Sequence, residues 1–233
     1  MKKIYIYFTS VMLIGAAFTT TVYAKVPENL TCAKRAIIDY YNSGEYEKDV
    51  NLVVHDAEQY LQKRLDENNI AGQPRKLAIV LDIDDTSLSN FLGNKKRDFS
   101  GLPELIEESY HEANAPAINP VLGLYNEAIK NSVTVFFISF RPDDVRSYTV
   151  TNLQKSGYYG WSELYLPNNE EIKLPAQAYK TAVREMLTKS GYDIILNIGD
   201  QDSDLDGGYA EHVDKLPNPL YSTSKTCENK ACL

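Results

Sequence analysis

Two aspartates one residue apart, Asp82 and Asp84, close the apolar run Leu77-Ala78-Ile79-Val80-Leu81, and Asp85 and Thr86 follow at once. The run is short, partly β-branched and preceded by Arg75-Lys76, so it reads as a strand buried on both faces of a parallel sheet. Side chains alternate along a strand, which turns Asp82 and Asp84 to the same side as the chain leaves the sheet. That edge is where open α/β sheets bind ligands. Carboxylates so close repel unless a cation lies between them or one keeps a proton, and either state serves chemistry. The plainer alternative is an acidic turn leading to a helix N-cap at Thr86.

Other polar groups fall at equivalent points. Ser139 and Arg141 follow the run Val133–Ile138, Lys180 lies early in a helix, and Asp200 and Asp204 follow Ile194–Gly199. Together they suit phosphoryl transfer through a carboxylate. Asp82 would attack phosphorus and carry an aspartyl-phosphate. Asp84 would protonate the leaving oxygen and then take a proton from the hydrolytic water, a role that asks for a raised pKa. Ser139 and Lys180 would hold phosphate oxygens, with Arg141 a further candidate contact. Asp82, the backbone carbonyl of Asp84, Asp200 and Asp204 would hold one hard cation; oxygen ligands with retained waters point to Mg²⁺. Singly these signals are weak: a helix cap accounts for Ser139, and a solvated helix lysine for Lys180. The segment from Gly199 to Asp204 could be a calcium-like loop, but it lacks the twelve-residue pattern. Their order along the chain carries the argument.

The elements that must position these groups alternate. Helices are expected over 33–41 and 46–69, a turn at Ala71-Gly72-Gln73-Pro74, then the central strand. Residues 90–117 are too long for an ordinary connection and read as a small cap with a helix around Leu105–His111. A helix over 120–130, a strand over 133–138, a helix over 143–156, short strands at 164–166, 194–198 and 210–216, and a helix from about Lys180 to Lys189 complete the chain. Strands alternating with helices imply a parallel sheet between helical layers, an α/β fold. Within the cap, Phe91, Tyr110 and His111 could stack on an aromatic leaving group, though packing explains them more simply. Trp161 reads as core, His55 as surface, Arg146 as half of an ion pair. His212 has no evident partner.

Composition narrows the partners. The 24 Lys and Arg face 32 Asp and Glu, a formal net charge of −8, which disfavours nucleic-acid polymers and anionic membranes. Lys2-Lys3, an apolar stretch and Val22-Tyr23-Ala24 have the order of a secretory signal with cleavage after Ala24. The apolar stretch is too short and too interrupted for a comfortable membrane span. The chain is therefore expected to be exported, periplasmic or secreted, with no stable anchor once cleaved. Cys32, Cys227 and Cys232 allow three single pairings, among which spacing cannot choose. The expected division is a signal at 1–24, an N-terminal helical extension at 25–71, a core at 72–221 with its cap, and a cysteine-bearing tail at 222–233.

From about Tyr40 to Tyr221 the sequence resembles the acid phosphatase branch of the haloacid-dehalogenase (HAD) superfamily, which includes bacterial secreted phosphatases and plant vegetative storage proteins. The resemblance rests on the aspartate pair, Ser139, Tyr179-Lys180-Thr181 and Gly199-Asp200-Gln201 with Ser203-Asp204-Leu205. It extends to Ser43-Gly44-Glu45-Tyr46, Pro116-Ala117-Ile118, Asn152-Leu153, Gly157-Tyr158 with Gly160-Trp161, and Lys215-Leu216-Pro217-Asn218-Pro219. It implies a HAD-like Rossmannoid sheet, one Mg²⁺ per site, a small phosphomonoester substrate such as a nucleotide monophosphate, and the roles given above for Asp82, Asp84, Ser139, Lys180, Asp200 and Asp204. Two features bear on activity. Asp82 is present, whereas storage members can lack the nucleophile. Phe140 stands where the family more often has Gly, and its ring could narrow the phosphate pocket. The competing readings are a catalytically weak storage or binding protein on this scaffold, and a receiver-like phosphoacceptor, which would have no need of Asp84.

Overall fold

The computed structural model describes residue 26 and residues 28–223. The expected signal at 1–24, and Cys227 and Cys232 with any pairing they make, lie outside the described residues. Cys32 is exposed.

Five parallel strands make the sheet: β1 (Lys76–Leu81), β2 (Thr134–Ile138), β3 (Glu163–Tyr165), β4 (Tyr192–Gly199) and β5 (His212–Lys215), in the order β3-β2-β1-β4-β5. β1 is central and buried from Leu77 onward. Alternation decides what each face receives. Leu77, Ile79 and Leu81 join one hydrophobic cluster, while Ala78 and Val80 join the other.

The first cluster packs against α2 (Glu45–Ile70) and α5 (Asn119–Lys130). In α2 the residues Val50, Val54, Ala57, Leu61 and Leu65 form one buried stripe at helical spacing. Gly44, at φ 85, turns the chain from α1 (Leu30–Asn42) into α2, a conformation that favours glycine. The segment 25–71, expected as a helical extension, thus supplies a helix that lies on the sheet. Tyr41 of α1 stacks on Phe91, ring centroids 3.9 Å apart. Each fully buried Leu, Ile or Phe in such a cluster contributes roughly 1.5–3 kcal/mol, so the strand ends form a rigid platform.

The second cluster packs against α7 (Ala176–Lys189) through Tyr179, Val183 and Leu187. α6 (Arg146–Lys155) joins β2 to β3; a 3₁₀ turn occupies Asp143–Val145, where the expected helix began. Arg146 pairs with Asp143 at 2.5 Å, as anticipated. Between β1 and α5 lie two short helices, α3 (Phe91–Lys96) and α4 (Pro103–Glu112), within the segment read as a cap. Thr86 caps no helix: it lies in a tight turn in which the Ser87 and Leu88 amides both donate to Ile83 O. α8 (Asp202–Leu205) is a single turn after β4.

Candidate active site

The chain runs from β1 outward to β2 and β3, then returns to β4 and β5 on the other flank, so β1 and β4 border the crevice where connections diverge. Such a switch point is the favoured ligand site of an open α/β sheet. Asp82 shares the strand parity of Ala78 and Val80, which brings it to the α7 face. There Lys180 Nζ donates to Asp82 Oδ1 at 2.5 Å and to Asp204 Oδ1 at 2.6 Å. All three side chains are buried.

Asp82, Asp200 and Asp204 each offer a carboxylate oxygen, and these atoms lie within 4.8 Å of one another. The neighbours that hold them come from distant stretches of chain. Thr86 Oγ1 donates to Asp200 Oδ1 at 3.1 Å, Asn218 Nδ2 donates to Asp200 Oδ2 at 2.6 Å, and the Gln201 side-chain amide donates to the same oxygen. The Gln201 backbone amide holds Asp204 Oδ2 at 2.9 Å. Gly199 makes this crowding possible, since a Cβ there would stand 2.3 Å from Asp204 Cβ.

Burial pushes the Asp82 carboxyl well above its ordinary value; Lys180 opposes this, and the charges of Asp204, Asp200 and Asp84 add to it. Asp200 rises to about 7 by burial and then by the Asp204 charge. Burial disfavours the Lys180 charge, yet Asp204 and Asp82 outweigh it and hold the amine above its usual range. Three buried carboxylates, all offering oxygen and facing only one ammonium, fit a hard divalent cation.

Asp84 differs from expectation. Arg141 grips it with two hydrogen bonds, Nε to Oδ2 at 2.9 Å and Nη2 to Oδ1 at 2.7 Å, and Asn90 Nδ2 donates to Oδ1 at 2.7 Å. Burial alone would raise its pKa, but the Arg141 charge and these hydrogen bonds outweigh burial and lower it. The raised value expected from burial and the adjacent carboxylate is therefore corrected: an arginine reaches this carboxylate and turns the balance. The side chain faces Arg141 rather than the carboxylate trio. Arg141 is buried, and its guanidinium carbon lies 4.5 Å from the ring centroid of Tyr110 in α4. The expected phosphate or substrate contact thus lines the cavity already paired with Asp84.

A cavity of about 330 Å³ opens over these groups. Asp82, Asp84, Ser139, Lys180, Arg141, Asp200 and Asp204 all line it, so the catalytic, phosphate-binding and metal-ligating candidates named from the sequence meet here. The cap contributes Arg97, Phe99, Ile106 and Tyr110, and the C-terminal stretch contributes Leu220 and Tyr221. Ser139 is buried, and its Oγ accepts the Arg141 amide at 3.2 Å, which shapes the turn after β2. Phe140 lines the cavity and leans on Tyr179, centroids 5.9 Å apart.

Elsewhere the single-residue expectations divide. Trp161 packs against the core by an edge contact with Phe137, and His55 is exposed. His111 does not line the cavity and leans on Tyr148 instead. His212, for which no partner was evident, lies between Asp56 and Asp214 and stacks on Tyr60. Asn90, Asn218, Gln201 and Thr86 were given no site role from sequence. For Asn218 the visible signals were its place between two prolines just past the last strand and within the Lys215–Pro219 stretch of the family resemblance.

The family model for the HAD superfamily, subfamily IIIB (acid phosphatase), matches residues 14–224. The chain belongs to this family. Acid phosphatase 1 of Solanum lycopersicum is 30% identical, over 78% of this chain and 71% of that protein. The stem 28 kDa glycoprotein of Glycine max is 34% identical, over 85% of each chain. Vegetative storage protein 1 of Arabidopsis thaliana is 32% identical, over 84% of this chain and 71% of that one. The class C acid phosphatase of Bacillus anthracis superposes with a TM-score of 0.64 at 22% identity, covering 83% of this chain and 85% of that chain. At that identity the likeness speaks to the fold. This subfamily IIIB chain keeps a five-stranded parallel sheet among helices and an acidic cluster able to hold a divalent cation.

Proposed function

We propose that this chain is an Mg²⁺-dependent acid phosphatase that hydrolyses small phosphomonoesters, nucleotide monophosphates among them, through an aspartyl-phosphate on Asp82. One observation carries the reading. At the carboxyl end of the central strand, Asp82 is held by the buried ammonium of Lys180 inside an oxygen-donor cluster with Asp200 and Asp204.

Asp82 attacks phosphorus, and Lys180 with Ser139 offsets the charge that builds on the phosphate oxygens. The cation, held by Asp82, Asp200, Asp204 and the backbone carbonyl of Asp84, would supply charge neutralisation when bound. Asp84 donates its proton to the leaving oxygen and recovers one from the water that cleaves the acyl phosphate. The Arg141 ion pair keeps Asp84 ionised before substrate arrives. An incoming phosphate dianion competes for that guanidinium, and loss of the pair lets Asp84 take up its proton. Acidic conditions favour the same step, in keeping with an acid phosphatase. The cap residues Tyr110 and Phe99 face the leaving group in this arrangement.

Export follows from the N-terminal pattern, with residues 1–24 as the signal and a periplasmic or secreted product. No helix among the described residues is long and apolar enough to cross a membrane. The same reading divides the mature chain into a helical extension at 25–71, a core at 72–221 with its cap at about 90–117, and a tail at 222–233.

The test is hydrolysis of p-nitrophenyl phosphate by the protein from Lys25 onward, with Mg²⁺ and with EDTA, beside Asp82→Asn. Turnover that needs the metal and Asp82 supports the proposal, and a nucleotide panel then sets the substrate. The storage relatives favour one second reading, a catalytically weak storage protein. A folded, metal-replete protein without turnover would move the conclusion there.

A further inference from the structure

Far from the catalytic cavity, His212 opens β5 against the middle of α2. Its Nε2 stands 3.1 Å from Asp56 Oδ2 and 3.3 Å from Asp214 Oδ1. A single ring nitrogen carries at most one proton, so it cannot serve two converging carboxylates equally. The second oxygen of Asp214, the Oδ2 turned away from that contact, is buried and has no hydrogen-bond partner among the described residues either. Asp214 itself is 6% exposed. Buried carboxylate oxygens are ordinarily satisfied, and a missing ion is one of the physical reasons for an exception.

We infer that Asp56, His212 and Asp214 form a second metal site, for a first-row divalent cation of the zinc class, distinct from the carboxylate cluster at Asp82. The donor set fits. One imidazole and two carboxylates are borderline ligands suited to zinc, whereas the all-oxygen cluster suits Mg²⁺. The spacing fits as well. Ligands about 2.0–2.1 Å from a tetrahedral zinc lie about 3.3 Å from one another, and the separations here are 3.1 and 3.3 Å. One ring nitrogen and one carboxylate oxygen from each aspartate lie within 4.8 Å of one another.

The ring is already held for such a role. Tyr60 stacks on it with centroids 4.5 Å apart and planes 15° from parallel, and Tyr60 Oη donates to Glu211 at 3.0 Å. Asp56 and His212 remain partly open to solvent, which leaves an entry path and a coordination position for water. The bound ion would pin α2 to the edge strand, whose continuation carries Asn218 to Asp200. None of this depends on the hydrolytic reading of the main cavity.

The test is equilibrium dialysis of the full chain against Zn²⁺, with bound metal counted by elemental analysis and unfolding followed with and without the ion. The expected result is one zinc equivalent more in the unaltered chain than in His212→Ala, with that equivalent retained in Asp200→Asn. Loss of an outer-shell partner alone costs about 10–100-fold in metal affinity, so the exposed ligand variant Asp56→Asn should weaken the second site at least tenfold while keeping the fold. Zn²⁺ should raise the unfolding midpoint of the unaltered chain and of Asp200→Asn, but less in Asp56→Asn. Equal zinc content and equal zinc-dependent midpoints in the unaltered chain, His212→Ala and Asp56→Asn would overturn the inference.

Discussion

Replacing Lys180 by Met probes the balance of charge on which the site rests. Met keeps an unbranched chain of similar length but removes the ammonium that Asp82 and Asp204 share at 2.5 and 2.6 Å. The three residues are each at most 6% exposed, so water cannot take over those contacts. Removing one partner of a buried pair costs about 3–5 kcal/mol, because the remaining charge is left uncompensated. For a domain of this size each kcal/mol shifts the unfolding midpoint by about 2–4 °C, so the metal-free variant should melt about 6–20 °C lower. Added Mg²⁺ should return most of that difference, since a divalent cation among Asp82, Asp200 and Asp204 replaces the lost charge. Adding Asp204→Asn should also restore part of it by removing one of the stranded carboxylates. Differential scanning calorimetry at neutral pH, with EDTA and with Mg²⁺, measures all three. A metal-free Lys180→Met that melts with the unaltered chain, or a deficit that ignores Mg²⁺, would refute the reasoning. Catalysis should not recover with the cation: loss of a preorganised donor to the phosphate predicts a fall of about 10²–10³ in kcat.

Asp84→Asn should lower kcat by about 10²–10⁴ with alkyl phosphates, and far less with p-nitrophenyl phosphate, whose leaving oxygen needs little protonation; steady-state rates on both substrates check this. Arg141→Gln removes the charge that lowers the Asp84 pKa, so the alkaline limb of kcat/KM should move to higher pH while KM rises about tenfold or more from a lost charged contact. Asn218→Ala frees one side of Asp200 and should weaken Mg²⁺ binding about 10–100-fold by calorimetric titration. For the metal-free chain, Asp85 and Asp200, each pushed up to about 7 chiefly by burial, bind protons in the folded state that the unfolded chain has already released. Stability should therefore fall as pH rises from about 4 through 7, and Mg²⁺ should flatten that slope.

Much of the site could be read from the chain because its parts are local. An apolar run with Asp82 at its end, Ser139 after the next run and Asp200 after Gly199 need only strand alternation and a parallel sheet to meet. The periodicity of Val50, Val54, Ala57, Leu61 and Leu65 likewise announces α2. What stayed hidden depends on pairs far apart in sequence. Arg141 lies 57 positions from Asp84, and no local pattern says that its guanidinium reaches that carboxylate and reverses the sign of its pKa change. His212 lies 156 positions from Asp56, so its setting emerges only when β5 is laid beside α2. Thr86 read plausibly as a helix cap because its neighbours are turn formers, yet its hydroxyl is drawn to Asp200, 114 positions away. Periodicity gives the faces of elements; the pairing of charges needs the sheet order.

The central claim is that Asp82 is the nucleophile. Acid-quenching the protein during turnover of a radiolabelled phosphomonoester with Mg²⁺, followed by peptide mass mapping, tests it directly. The expected result is an acid-stable label on the peptide bearing Asp82, cleaved by hydroxylamine as an acyl phosphate must be, and absent from Asp82→Asn together with turnover. Label on another residue, or continued turnover by Asp82→Asn, would contradict it.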